Sequence, residues 1–292
     1  MNINYYLLTK SFDEKFFIAD RSFEEKLASF IDVIREITPK EVIYYSMELF
    51  NQPIFNGKMF MEWLYNDGDF HDEKKFLQLK LRHMLDIDEN DIETRVKELQ
   101  ENTYNPDIKN ALVSFFNYPI KDISPRLIVS TKEGCYDVRR FHLQFVNDSS
   151  SLLENYESCF PQIYINERVN QTLKRMKPFR DYIEEVILHL SALNDYAKEL
   201  FDEYHTQNES VVLKNLEIKG KIYCSIQGNP DYEKKNLSFD FPLDEGGLIS
   251  ITCAPHTKLF TKYSNERIYF HWGHPDVQKG EKVLIGHIGD HL

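Results

Sequence analysis

The chain has 292 residues, enough for one or two domains at roughly 100–200 residues each. Apolar residues make up 42% and aromatic residues 14%, so a substantial core is expected and wholesale disorder is excluded. With 35 Lys and Arg against 47 Asp and Glu the net charge is −12, which excludes a broadly basic nucleic-acid coat but leaves room for a local basic site.

The opening MNINYYLLTKSFDEKFF lacks the basic-then-apolar form of a secretion signal. No run approaches ~18 apolar residues, so no membrane span is expected. Cys135, Cys159, Cys224 and Cys253 form no C-x-x-C pair, which removes zinc-ribbon and thioredoxin-type motifs. The expectation is reduced, mostly buried thiols in a cytoplasmic protein.

Residues 1–120 read as a mainly helical domain. Ser22 and Glu25 have capping-box spacing ahead of an apolar stripe, Leu27, Phe30, Ile31, Ile34 and Ile37. Glu41 to Leu49 is open between strand and buried helix. Lys58 to Asn66, Glu73 to Leu85, Asn90 to Gln100 and Asp107 to Phe116 follow as helices.

Pro119 and Pro125 mark a change of texture. Residues 121–159 are expected to hold a β-hairpin, Arg126–Ser130 with Tyr136–Val146, and then a short helix from Ser149. A second domain is expected over 160–292. It opens with strand PQIYI (161–165), a helix from Asn166 and a longer helix from Arg180 to Tyr204. Strands follow at Val211–Leu213, Lys219–Gln227, Asn236–Phe241, Gly247–Ala254, Lys258–Lys262, Arg267–Trp272 and Lys282–Ile288. Eight of the 11 glycines lie after residue 219, which fits a change from helices to a turn-rich sheet. The fold class expected is α+β.

Chemistry concentrates in the tail, where five of the ten histidines fall: His256, His271, His274, His287 and His291. Histidine titrates near neutral pH and serves as acid, base or metal ligand. Alternation places Arg267, Tyr269 and His271 on one strand face, and Val283, Ile285 and His287 on one face of the next. Antiparallel pairing of the two would bring His271 and His287 to one surface, with Arg267, Lys258 and His256 near them; a one-residue slip would undo it.

Three uses of this cluster stay open. Several histidines could hold a metal, although Gly286 and Gly289 argue against the helix that would pair His287 with His291. Without metal, His, Lys, Arg and Tyr can hold a phosphodiester, take a 2′-hydroxyl proton and protonate the leaving oxygen. The same residues also serve as hydrogen-bonded sheet residues or as part of a partner-binding face. Elsewhere, Arg139-Arg140 and Lys174-Arg175 with Lys177 are the densest basic spots, read as ordinary surface charge unless they touch phosphate. The sequence contains no G-x-x-x-x-G-K-[ST], G-x-G-x-x-G, G-x-S-x-G or H-E-x-x-H, so the usual markers of nucleotide, dinucleotide, α/β-hydrolase and zincin chemistry are missing.

From residue 160 the order strand, helix, helix, strands resembles the RelE/ParE-type toxin fold. IYINERVNQTLKRM resembles its first strand and helix, His256-Thr257-Lys258-Leu259 its "(H)KL" segment, ERIYF its "yRviY" strand and KVLIGH its closing "ivilvighR". The resemblance covers about 130 residues. It implies a metal-independent endoribonuclease, linked to RNA or the ribosome, in a bacterial toxin–antitoxin or phage-defence system. Arg267 and Lys258 would contact the phosphate. His271 or His287 would act as base and acid, with His256 and His291 beside them. No cofactor and no metal are implied.

Ile288 stands where the family has an arginine, and His291-Leu292 where it has a closing tyrosine. The half from Ser151 is net acidic, with 16 Lys and Arg against 21 Asp and Glu, and the stretch from Thr206 to Phe241 is longer than the family needs. These departures imply the alternative, a catalytically inactive adaptor that binds another protein through a toxin-like fold.

Overall fold

The computed structural model describes residues 1–18, 21–38, 40–101 and 108–292. They form two compact units, Met1–His142 and Leu143–Leu292, and the structure is mixed α/β. The division at 142 differs from the expected boundaries at 120 and 160, because the last strand and helix after residue 120 complete the first unit.

Unit 1 runs β1 (Asn4–Leu7), α1 (Phe23–Ile37), β2 (Val42–Tyr45), a hairpin of β3 (Pro53–Phe55) and β4 (Lys58–Met59), α2 (Phe60–Tyr65), α3 (His71–Leu81), β5 (Leu85–Asp86), α4 (Glu89–Gln100), β6 (Asn110–Val113), β7 (Ile128–Val129) and α5 (Lys132–Leu143). The five main strands are all parallel, in the order β5-β2-β1-β6-β7. This Rossmann-like sheet corrects the expectation of a mainly helical domain. Its strands are two to four residues long, and those at the centre are buried on both faces, so they show no alternation. The helix expected up to Phe116 is β6 over its described part, and Asp107 lies outside the described residues.

The capping box at α1 is formed: the Ser22 hydroxyl accepts from the Glu25 amide at 3.2 Å, and the Ser22 amide donates to the Glu25 carboxylate at 2.7 Å. The core below it is aromatic, with Phe12 stacked on Phe115 at 5.0 Å and edge-on to Phe30 at 5.4 Å.

The expected hairpin strand Tyr136–Val146 is instead α5. Cys135, Val138, Arg139 and His142 are buried, at spacings of three and four that suit a helix face as well as a strand. Arg139 is not surface charge. Its guanidinium is fully buried and donates to Glu36 at 2.6 Å and to Glu41 at 2.7 Å.

Unit 2 runs α6 (Ser149–Cys159), β8 (Ile163–Ile165), α7 (Val169–Leu173), α8 (Ile183–Tyr204), α9 (Glu209–Gly220), β9 (Tyr223–Ile226), α10 (Pro230–Asn236), β10 (Ser238–Pro242), β11 (Leu248–Thr252), β12 (Pro255–Lys258), β13 (Glu266–His271) and β14 (Val283–Asp290). The expected strand Val211–Leu213 lies inside α9, whose leucines and valines bury one helix face. The main sheet has the order β8-β14-β13-β12-β9. Only β8 pairs in parallel, with β14; the other pairs are antiparallel. The ribbon β10-β11 pairs antiparallel and shares a core with the sheet through Phe239, Phe241, Ile251, Cys253, Tyr269 and Leu284.

Gly286 makes that packing feasible. A Cβ there would lie 2.3 Å from the Phe239 ring and 2.9 Å from the Cys253 sulfur. Among the described residues no helix is long and apolar enough to cross a membrane.

Candidate functional site

The site is built on the row His256–Tyr269–His287 across β12, β13 and β14. His256 lies opposite Tyr269, and Tyr269 lies opposite His287. Residues directly opposite in an antiparallel ladder share a face. Their rings touch accordingly, with centroids 4.9 Å apart for His256–Tyr269 and 5.8 Å for Tyr269–His287. The next row is Lys258 opposite Arg267 opposite Gly289. His291 packs edge-on to Tyr269 at 6.4 Å. Thus His256, Lys258, Arg267, His287 and His291 do come together.

His271 does not join them at the cleft. A bulge between Tyr269 and Phe270 pairs Phe270 with Ile285 and leaves Gly286 as the extra residue of β14. His271 is therefore opposite Leu284, and its Nδ1 accepts from the Gly273 amide at 3.2 Å. The bulge also breaks the expected sharing of one face by Val283, Ile285 and His287. Ile285 pairs with Phe270, whereas His287 pairs with Tyr269, and adjacent residues of β13 point to opposite faces.

Beside this row lies a cleft of about 380 Å³. It is lined by His287, His291, Glu266 and Asp290 from the β13–β14 end and by Arg168, Arg175, Lys177 and Tyr182 from the segment around α7. The cations come from the turn entering α7 and the segment leaving it. Asn166 caps this turn by accepting the Arg168 amide at 2.9 Å. Arg168, Arg175 and Lys177 are exposed and form no ion pair with a carboxylate within the unit, although Arg168 lies over the Phe239 ring at 5.9 Å. The basic pair at 174–175 with Lys177 is visible in the sequence, but its place against His287 comes from the packing of α7 on β14 and the parallel pairing of β8 with β14, which are distant in the chain.

The histidines differ in what they offer. The Nε2 of His287 lies 2.8 Å from the Asp290 carbonyl, which can only accept, so Nε2 carries the proton and Nδ1 the lone pair. Burial holds its pKa below the ordinary histidine value, and Arg168 and Arg175 add to that. His256 is pushed down to about 4, chiefly by burial. Its Nδ1 faces the Ala254 carbonyl at 3.3 Å, and Nε2 accepts from the Ser225 hydroxyl at 2.9 Å. The lone pair of His256 is therefore already engaged. His291 is also lowered, by partial burial, Arg267 and Lys258.

Two buried donors make no hydrogen bond: the Tyr269 hydroxyl in this row and Arg267 Nε in the next. Burial raises the Tyr269 pKa, with Arg267 opposing. Arg267 spends Nη1 on the Ser264 carbonyl at 2.7 Å.

Gly289 has φ +152°, and a Cβ there would lie 3.2 Å from His287 Nε2 and 3.5 Å from Thr172. The two glycines of the IGHIG run thus have separate jobs: Gly286 admits Phe239, and Gly289 leaves room for the His287 ring.

Cys135, Cys224 and Cys253 offer no thiolate. Burial raises Cys135 and Cys224 to about 12 and Cys253 higher still. Among the described residues no group of three or more His, Cys, Asp or Glu is placed to hold a metal ion. Comparison with protein-family models, with curated proteins and with solved structures finds no significant match to the chain.

Proposed function

We propose that the C-terminal unit is a metal-independent endoribonuclease. The observation that carries this is the convergence on one cleft of three cations without carboxylate partners, Arg168, Arg175 and Lys177, with a histidine kept neutral and its lone pair free, His287. In a chain of net charge −12, unpaired cations gathered at one place are the signature of an anionic ligand.

The chemistry follows from the groups present. The cations hold the phosphate, and Arg267 adds charge from the adjoining row. Nδ1 of His287 takes the proton of the 2′-hydroxyl. The 2′-oxygen then attacks the adjacent phosphorus, and the bond to the 5′-oxygen breaks. His291, exposed at the same cleft, donates the proton to that leaving oxygen. The products are a 2′,3′-cyclic phosphate and a 5′-hydroxyl. His256, tied to Ser225 and Ala254, is a positioning residue that packs Tyr269 in place. Lys258 acts on the same row through its charge, and His271 takes no part.

The resemblance to RelE/ParE-type toxins supports RNA as the substrate and a toxin–antitoxin or phage-defence setting. The test is cleavage of a mixed RNA pool, and of ribosome-bound message, in excess EDTA. Cleavage that survives chelation and falls at least about a hundredfold in His287→Ala is expected, within the usual worth of a general base. Cleavage lost on chelation, or unchanged in His287→Ala, overturns the mechanism. No cleavage under either condition leaves the adaptor reading, a toxin-like scaffold that holds another protein.

A further inference from the structure

Beyond the cleft, the turn between β12 and β13 carries two large aromatic rings in solvent. Phe260 is 45% exposed and Tyr263 is 83% exposed. Phe260 is covered on one edge only, and Tyr263 stands almost wholly in solvent, where leaving an aromatic ring is unfavourable. Lys262 sits over the Tyr263 ring at 4.8 Å.

Phe260 is also held in an unusual backbone state. Its φ is +61°, a left-handed conformation that a bulky residue rarely adopts. Its amide donates to the Glu185 carboxylate at 2.6 Å, and that carboxylate in turn faces His189 Nε2 at 3.3 Å on α8. The helix thus pins the turn so that the ring stands out from the sheet.

The Phe260 ring is continuous with the cleft, and Tyr263 lies three residues on in the same turn. Tyr182 lines the cleft beside Arg175 and Lys177, and it meets the Phe260 ring edge-on at 5.7 Å. Exposed Arg180 lies two residues before Tyr182 in the chain. A path therefore runs from exposed rings, past Tyr182, to the unpaired cations and His287.

We propose that Phe260 and Tyr263 form a stacking platform for single-stranded RNA, which delivers the strand to the cleft. This rests on the phosphodiester reading of the cleft and names the form of its substrate. Exposed rings beside cations bind unpaired bases by their faces while the cations follow the phosphates. A duplex hides those faces in its own stack, so the platform selects single strands.

The test is fluorescence anisotropy of the full chain with a labelled short 2′-O-methyl oligouridine, which lacks the nucleophile and so is not consumed. The same strand annealed to its complement is the duplex probe. The single strand is expected to bind at least about tenfold tighter than the duplex. Phe260→Ala and Tyr263→Ala are each expected to weaken single-strand binding about tenfold, with the salt dependence unchanged. The ring-preserving Phe260→Tyr and Tyr263→Phe restore it, which separates stacking from damage to the turn. Arg175→Ala with Lys177→Ala is expected to weaken binding and reduce the salt dependence.

Equal affinity of the Ala variants and the parent, with binding still dependent on Arg175 and Lys177, overturns the platform and leaves the cleft reading standing. Preference for the duplex overturns it too, as does a change of oligomeric state in the Ala variants with RNA binding unaltered. Ring-dependent binding by a chain that cleaves no RNA confirms the platform and overturns the nuclease.

Discussion

Tyr269 and His287 face each other across β13 and β14 with ring centroids 5.8 Å apart, at the last pair before a bulge whose extra residue is Gly286. Without the bulge, the alternation of β14 would place Ile285 on the face of His287. The glycines either side of His287 are thus part of the site although neither carries a functional group.

Replacing them separates stability from activity. Gly286→Ala forces a methyl group against the Phe239 ring and the Cys253 sulfur, and is expected to destabilise unit 2 by at least ~1–3 kcal/mol. Gly289→Ala meets the His287 ring instead and should reduce RNA cleavage by more than its cost in stability explains. Thermal unfolding and cleavage rates of the two variants check this. An unshifted midpoint in Gly286→Ala would contradict the close approach of the ribbon to the sheet.

The pH profile has a direction. His287 must be neutral to accept a proton, and His291 must be protonated to donate one. Burial with Arg168 and Arg175 lowers the first, and partial burial with Arg267 and Lys258 lowers the second. Both limbs then lie on the acid side of the ordinary histidine value of ~6.5, and so does the optimum. The dependence of kcat/KM on pH reads this directly. Removing the acidic limb should follow from His287→Ala, with the residual rate nearly flat on that side.

Stability depends on pH through two other histidines. Burial pushes His142 in unit 1 and His256 in unit 2 down to about 4. The unfolded chain therefore binds more protons than the folded one between ~6.5 and about 4, and stability falls as pH drops through that window. Each group is worth on the order of 3 kcal/mol at neutral pH. Urea unfolding at pH 7 and pH 5 should show the loss. His256→Gln, which cannot ionise, should reduce the dependence of unit 2, leaving the part carried by the other lowered histidines such as His287; an unchanged slope would contradict the assignment.

In unit 1 the buried ion pairs of Arg139 are structural. Glu41→Ala leaves a fully buried guanidinium short of a partner and is expected to cost ~3–5 kcal/mol. The half-buried pair of Arg95 with Glu98, at 2.7 Å on the surface of α4, gives a control: Glu98→Ala should cost about 1 kcal/mol or less. Denaturant unfolding of the two variants compares them. Similar small losses would mean that Arg139 finds adequate solvation without Glu41.

How much of this was legible beforehand depends on range. Long amphipathic helices such as α1 and α8 announce themselves by period, and Ser22 by its cap. The antiparallel strands β10, β11, β13 and β14 are readable because each is flanked by turns and partly alternates, whereas β12 is Pro255–Lys258 and not the expected Lys258–Lys262. The parallel strands of unit 1 were hidden because burial on both faces erases alternation in segments of four residues or fewer. Helix α5 was mistaken for a strand because its apolar and aromatic residues fit both periods. At the site, Arg267 and His287 are legible from alternation, whereas His256 is expected only near them. The place of His271 is not, since it lies two residues beyond Tyr269 along β13, opposite Leu284, and the position of the cleft is set by tertiary packing. Arg168, Arg175 and Lys177 were invisible as partners of His287, because the link is the packing of α7 on β14 and a parallel pairing across more than a hundred residues.

The central claim is that the neutral His287 activates a 2′-hydroxyl at a metal-independent cleft. The most direct measurement compares cleavage, in excess EDTA, of an RNA with cleavage of the same strand carrying 2′-deoxy sugars throughout. The account predicts cleavage of the RNA to 2′,3′-cyclic phosphate ends, loss of it in His287→Ala, and no cleavage of the deoxy strand. Cleavage of both strands, or 3′-hydroxyl ends on the RNA products, would contradict it.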